Sequence, residues 1–132
     1  MERLNKVRLH QPMFRARVLA AYESRCALCR LRHVELLDAA HIIADGQPHG
    51  DPVVPNGLAM CKIHHAAYDR NILGVRPDLV VEIRQDILDE IDGPMLRHGL
   101  QEMKGQRLTV PSSRRSRPDK IRLEERYEAF RL

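Results

Sequence analysis

The chain has no tryptophan, two phenylalanines, three tyrosines and three cysteines among its 132 residues. So few aromatic side chains leave a core to Leu, Ile, Val and Ala, in a length suited to one compact domain. A bound metal would help order part of a core packed in this way. Three cysteines cannot all pair within one chain, which excludes a fully disulfide-bonded scaffold and favours metal ligation by a clustered set. No apolar run approaches the length of a membrane span, and the charged start, with Glu2, Arg3, Lys6 and Arg8, lacks the apolar stretch of a signal peptide. The expectation is a cytoplasmic protein with no membrane partner. Internal repeats and low-complexity tracts are also missing.

Charge is present but unevenly placed. The net value is +4. The first third and the stretch from Lys104 to Arg122 are basic, whereas Glu82 to Asp92 is acidic. Basic segments at both ends suit a polyanion such as DNA. Arg114, Arg115 and Arg117 are candidate nucleic-acid contacts, with a solvated loop beside Pro111 and Pro118 as the alternative.

Pro12 is placed to open a helix in which Phe14, Val18, Leu19 and Tyr22 recur at near-helical spacing, with an exit at Glu23-Ser24-Arg25. The stretch from Glu35 to Ile43 reads as a short strand ending in a loop. The Gly, Pro and Asp residues between Asp45 and Pro55 rule out a regular element there. Asn56-Gly57 marks a turn before Leu58, Ala59 and Met60, a second hairpin strand, and Lys62 to Arg70 reads as a helix. Further on, the pattern predicts a strand at Leu79 to Ile83, a short helix at Gln85 to Ile91, a helix from Met95 to Met103, an edge strand at Leu108 to Val110 and a closing helix from Lys120 to Phe130.

Cys26-x-x-Cys29 puts two thiolates on one tight turn, and Cys61-x-x-His64 supplies a third sulfur and an imidazole at the start of a later helix. Four such ligands make a closed tetrahedral site, structural in role, with Zn²⁺ as its expected ion. The alternative is three buried, inert cysteines beside a hydrogen-bonded histidine. Two paired spacings within forty residues disfavour it.

The blocks Asp38-Ala39-Ala40-His41-Ile42, Asn56-Gly57-Leu58 and Cys61-Lys62-Ile63-His64-His65-Ala66-Ala67-Tyr68-Asp69 resemble the HNH endonuclease family. The match covers about residues 25–70, roughly a third of the chain. The resemblance implies an α+β chain with a small ββα-metal core and a structural zinc knuckle, flanked by an N-terminal helix and a mixed C-terminal extension at about 79–132, all within one domain over residues 1–132. By family position His41 is the general base, Asn56 the middle residue, and His65 with Asp69 the pair that holds a catalytic divalent cation such as Mg²⁺, Mn²⁺, Co²⁺ or Ni²⁺.

The chemistry asks for the same residue types. Imidazole titrates near neutral pH and suits the deprotonation of water, while His65 and Asp69, four apart on a helix, project from one face toward an ion. Asn56 is expected to orient His41 through backbone near that strand. Many family members carry a His or Asp just before the base. Here that residue is Ala40, and Asp38, two positions back, is the candidate replacement ligand.

The block from Asp38 to Asp69 also looks like the nuclease half of modification-dependent (type IV) restriction proteins, which implies a separate reader of modified DNA and leaves a homodimer open. A zinc-stapled nucleic-acid-binding module without catalysis is the competing reading, motivated by Ala40. A bacteriocin-type toxin nuclease lacks any supporting segment. His10, His33, His49 and His98 have no partners at informative spacing.

Overall fold

The computed structural model describes residues 2–132, with side chains in the first helix described from His10 onward. Helix α1 spans Glu2–Ala21, and Pro12 lies inside it, not at its first turn. Pro12 is exposed, so the hydrogen bond it removes falls where water can replace it. Phe14, Val18, Leu19 and Tyr22 are buried as their spacing predicts. The helix stops in a left-handed exit, with Glu23 at φ 55 and Ser24 at φ 53, and Ser24 N–H bonds the Leu19 carbonyl at 2.8 Å. That sharp turn delivers Cys26 and Cys29 to the body of the protein.

Strand β1 (Leu37–His41) pairs antiparallel with β2 (Gly57–Cys61), in the register Leu37 to Cys61 and His41 to Gly57. Helix α2 (Lys62–Asp69) follows β2 without a linker, giving the expected order of strand, loop, strand and helix. Every residue of β2 is buried, because α1 and α2 both pack on the hairpin. A strand covered on both faces reads as a continuous apolar run, as Gly57-Leu58-Ala59-Met60-Cys61 does. Gly57 sits where α1 comes closest: a Cβ there would lie 2.5 Å from Val18 Cγ2 and 2.9 Å from Phe14 Cζ.

The C-terminal half departs further from the sequence pattern. Strand β3 (Leu73–Val75), which the sequence reading lacks, pairs with β4 (Val81–Ile83). It is three residues long with a glycine at its centre, too little for a propensity signal. Helix α3 covers only Gln85–Leu88, and the helix expected over Met95 to Met103 is a π-helical turn at Met95–Leu100 followed by a 3₁₀ turn at Gln101–Met103. Leu108 to Val110 is not a strand. An isolated bridge joins Val80 to Arg107, and Thr109 N–H bonds the Ala27 carbonyl at 2.8 Å.

Helix α4 (Lys120–Arg131) closes the chain as expected, capped by the Asp119 carboxylate, which accepts from Ile121 N–H at 3.2 Å. Its Leu123 is buried, and its Phe130 ring covers Gly74, where a Cβ would lie 2.5 Å from the ring. One buried apolar cluster runs from Phe14 to Leu123 and includes residues of both hairpins. No helix among the described residues is long and apolar enough to cross a membrane.

Candidate active site and metal cluster

The four predicted knuckle residues meet. Their ligand atoms all lie within 4.8 Å of one another, with Cys61 Sγ to His64 Nδ1 at 3.3 Å, Cys26 Sγ to His64 Nδ1 at 3.7 Å and Cys29 Sγ to Cys61 Sγ at 3.9 Å. A tetrahedron with metal–sulfur bonds of about 2.3 Å has sulfur–sulfur edges of roughly 3.8 Å. The cluster therefore has the size and donor set of a zinc site. Cys61 also caps α2, so the helix start and the cluster are built by one residue. His64 Nε2 lies 2.6 Å from the Gly99 carbonyl, which fixes Nδ1 as the nitrogen left for the cluster.

Hydrogen bonds from Cys29 and Cys61, opposed by burial, hold the Cys26 thiol well below its ordinary range. Burial alone would lower the His64 pKa, but the Cys26 and Cys61 sulfurs and the Gly99 carbonyl raise it to about 10.

The catalytic candidates gather on the other side of α2. A cleft of about 400 Å³ is lined by His41, Ala44, Asp45, His65, Asp69, Asn71, Arg126 and Ala129. His41 ends β1, and its ring stacks on Phe14 with centroids 4.3 Å apart and planes 19° apart. Its Nε2 is shielded and has no hydrogen-bond partner among the described residues. Burial holds the imidazole below its ordinary pKa of 6.5, against the pull of Asp45 and Asp69 and with the push of His10 and His65.

His65 and Asp69 share one face of α2, with Nε2 and Oδ2 at 3.1 Å. On the far side of the imidazole, Asp38 Oδ2 lies 2.8 Å from His65 Nδ1, while Asp38 Oδ1 accepts from Lys62 Nζ at 2.5 Å. Those two bonds, working against burial, keep the Asp38 carboxyl below its usual range. Asp38 is not among the residues that line the cleft; its carboxylate lies against the far side of the His65 ring. Ala40 itself is fully buried and contributes packing alone.

Asn56 is fully buried and lies outside the cleft. Its Oδ1 accepts from Ile43 N–H at 2.8 Å, and its Nδ2 donates to the Ile43 and Asp51 carbonyls, both at 3.0 Å. The side chain thus ties the loop after β1 back on itself, two residues beyond His41. Asn56→Ala leaves three partly buried backbone groups without this partner. The expected cost is about 3 kcal/mol, read as a thermal midpoint lowered by roughly 10 °C.

Arg126, with no signal in the sequence, is the long-range part of the site. Its guanidinium donates to the Ile42 carbonyl at 3.0 Å and the Tyr68 carbonyl at 2.6 Å, covers the Tyr68 ring at 4.0 Å and lies 3.9 Å from Asp69 Oδ1. It fastens α4 to the ends of β1 and α2 and gives the cleft a positive charge. Asp45 and Asn71 also enter the cleft unforeseen, the first only four residues after His41. Arg114, Arg115 and Arg117 are exposed and do not reach it, and the Arg117 guanidinium is engaged by the Pro111 and Ser112 carbonyls at 2.8 and 3.2 Å. Three histidines left without a role gain acidic partners: His10 with Asp45, His49 with Glu125 and His98 with Glu102.

Residues 26–76, which hold the zinc-type cluster, both β1 and β2, and α2, match the HNH endonuclease family. These residues and their surroundings are also similar to a solved structure, the modification-dependent TagI restriction endonuclease, at 20% sequence identity and a TM-score of 0.58. That superposition covers 86% of this chain and 36% of the TagI chain, so this chain spans about a third of the length of the enzyme it resembles. None of the curated proteins compared with it matches. The α+β architecture with a small hairpin and helix at its centre is therefore HNH-like.

Proposed function

We propose that the chain is a metal-dependent DNA endonuclease in which His41 serves as general base. The observation that carries the reading is the convergence of His41, from the end of β1, with His65 and Asp69 of α2 in one cleft. Burial keeps the His41 ring in its neutral form near pH 7, the form in which an imidazole accepts a proton from water. Asn56 acts through the backbone at Ile43 and is a positioning residue. Arg126 holds the cleft walls and lends positive charge toward a phosphate.

His65 Nε2 and Asp69 Oδ2 would hold the divalent cation, and the carboxylate behind Nδ1 is the arrangement that fixes a metal-binding imidazole. When bound, such an ion polarises a phosphoryl oxygen and stabilises the leaving oxygen. Asp38→Ala removes the orienting bond and leaves both donors in place. The expected result is a divalent-ion affinity about 10–100-fold weaker, measured by titrating the cation against cleavage rate and against ion binding by calorimetry. Unchanged affinity would remove Asp38 from the site. Zn²⁺ is the ion proposed for Cys26, Cys29, Cys61 and His64, with a structural role.

The fold likeness to a modification-dependent restriction enzyme supports, as a proposal, a role in restriction of modified DNA inside the cell, with selectivity supplied by a separate reader domain or protein. Two protomers, each cutting one strand, would account for a double-strand break. The test is a cleavage assay on plasmid DNA with and without cytosine modification, across Mg²⁺, Mn²⁺, Co²⁺ and Ni²⁺. Nicking that depends on the added ion supports the nuclease reading. DNA binding with no cleavage under any ion would favour the non-catalytic, zinc-stapled binder that Ala40 suggests.

A further inference from the structure

The family match begins at residue 26, yet part of the catalytic geometry is set by residues before it. Three side chains of α1 act along β1. Arg15 Nη2 donates to the Val34 and Leu37 carbonyls, both at 3.1 Å, where the strand begins. Phe14 lies face to face with the His41 ring where the strand ends. His10 Nε2 reaches Asp45 Oδ1, beyond the strand on the cleft rim, at 3.4 Å.

Phe14 is held tightly. It is 2% exposed, and its Cζ would meet any Cβ added at Gly57. A free imidazole has several staggered χ1 positions and a broad χ2, so nothing in β1 alone fixes the direction of its ring nitrogens. An immobile flat face against the imidazole removes most of that freedom. Stacked aromatic pairs favour this geometry over disordered contact.

Resting on the nuclease reading above, we propose that Phe14 is a positioning residue for His41, which makes α1 a working part of the nuclease centre. The phenyl ring supplies no proton and touches no substrate. It sets the plane of the imidazole, and with it the directions in which the ring nitrogens point.

The test compares two variants of the full, metal-loaded chain. Phe14→Leu keeps apolar bulk and loses the flat face. Val18→Ala loosens the same layer at Gly57 and leaves the stack in place. Misplacement of a reacting group by about 1 Å costs roughly 100-fold, so Phe14→Leu is expected to lower kcat by about 10–100-fold at nearly constant KM. Val18→Ala is expected to lower thermal stability while keeping kcat.

A second readout needs no activity. The His41 ring protons, assigned by their disappearance in His41→Gln, should resonate upfield in the parent protein under the Phe14 ring current and return downfield in Phe14→Leu. Unchanged His41 resonances, an unchanged kcat in Phe14→Leu, or an equal kcat loss in Val18→Ala would each overturn the proposal. A parent protein that shows the upfield signature and cleaves no DNA would overturn the nuclease reading, and with it the catalytic purpose of the stack, while leaving the stack itself in place.

Discussion

His41→Ala is expected to lower the rate of DNA cleavage by roughly 10²–10⁴-fold, the usual contribution of a positioned general base. The fold should survive, because His41 donates no hydrogen bond that holds another element and its backbone pairing with Gly57 is unaffected. Circular dichroism and zinc content would establish that the variant is intact, and single-turnover cleavage would give the rate. The pH dependence carries the same signature. A base works in its unprotonated form, and burial places the His41 pKa below 6.5, so lowering the pH to 6.5 should leave most of the ring neutral. The acid limb of the rate profile is therefore expected below that value, and it should be missing from the residual activity of His41→Ala. An acid limb above 6.5 at saturating divalent ion would point to a different base.

Cys61→Ala should have the largest effect on the fold. Cys61 is at once a strand end, the cap of α2 and a corner of the Cys₃His cluster. Apparent zinc-binding energies at structural sites are about 10–16 kcal/mol, as large as the whole net stability of about 5–15 kcal/mol typical of a domain. Losing one of four ligands is expected to abolish stoichiometric zinc and the cooperative thermal transition, with α2, and hence His65 and Asp69, released from the hairpin. Metal analysis and thermal denaturation of the purified variant check this. Retention of one zinc per chain with an unchanged midpoint would show that the cluster is not a metal site.

The centre of the fold was legible because its signals are local and chemically specific. Two Cys-x-x spacings, an Asn-Gly turn and the i, i+4 pair His65 and Asp69 each limit the backbone that can carry them, and the hairpin and α2 follow. Arg126 shows where such reading stops. Its contacts at Ile42 and Tyr68 lie 84 and 58 residues away in sequence, and an arginine on a charged helix looks the same whether it faces water or two carbonyls. The contacts of Asp38 lie beyond such reading for a related reason. Strand alternation gives the side of a strand, but it does not say whether a histidine from another element stands between the carboxylate and the cleft. β3 was missed because three residues with a central glycine have no periodicity to detect, and its pairing with β4 and the cover from Phe130 are supplied by the rest of the chain.

In the proposed function the Cys₃His cluster shapes the fold, while a separate cleft lined by His41, His65 and Asp69 holds the ion needed for cleavage. The most direct test is single-turnover cleavage of a labelled duplex by protein carrying one tightly held zinc per chain and freed of loosely held ions, before and after addition of Mn²⁺ or Mg²⁺, with His65→Ala alongside. The account predicts no cleavage before addition, cleavage after it, and loss of that response in His65→Ala with its zinc retained. Full cleavage by the zinc-loaded protein with no added ion, or an undiminished response in His65→Ala, would contradict it.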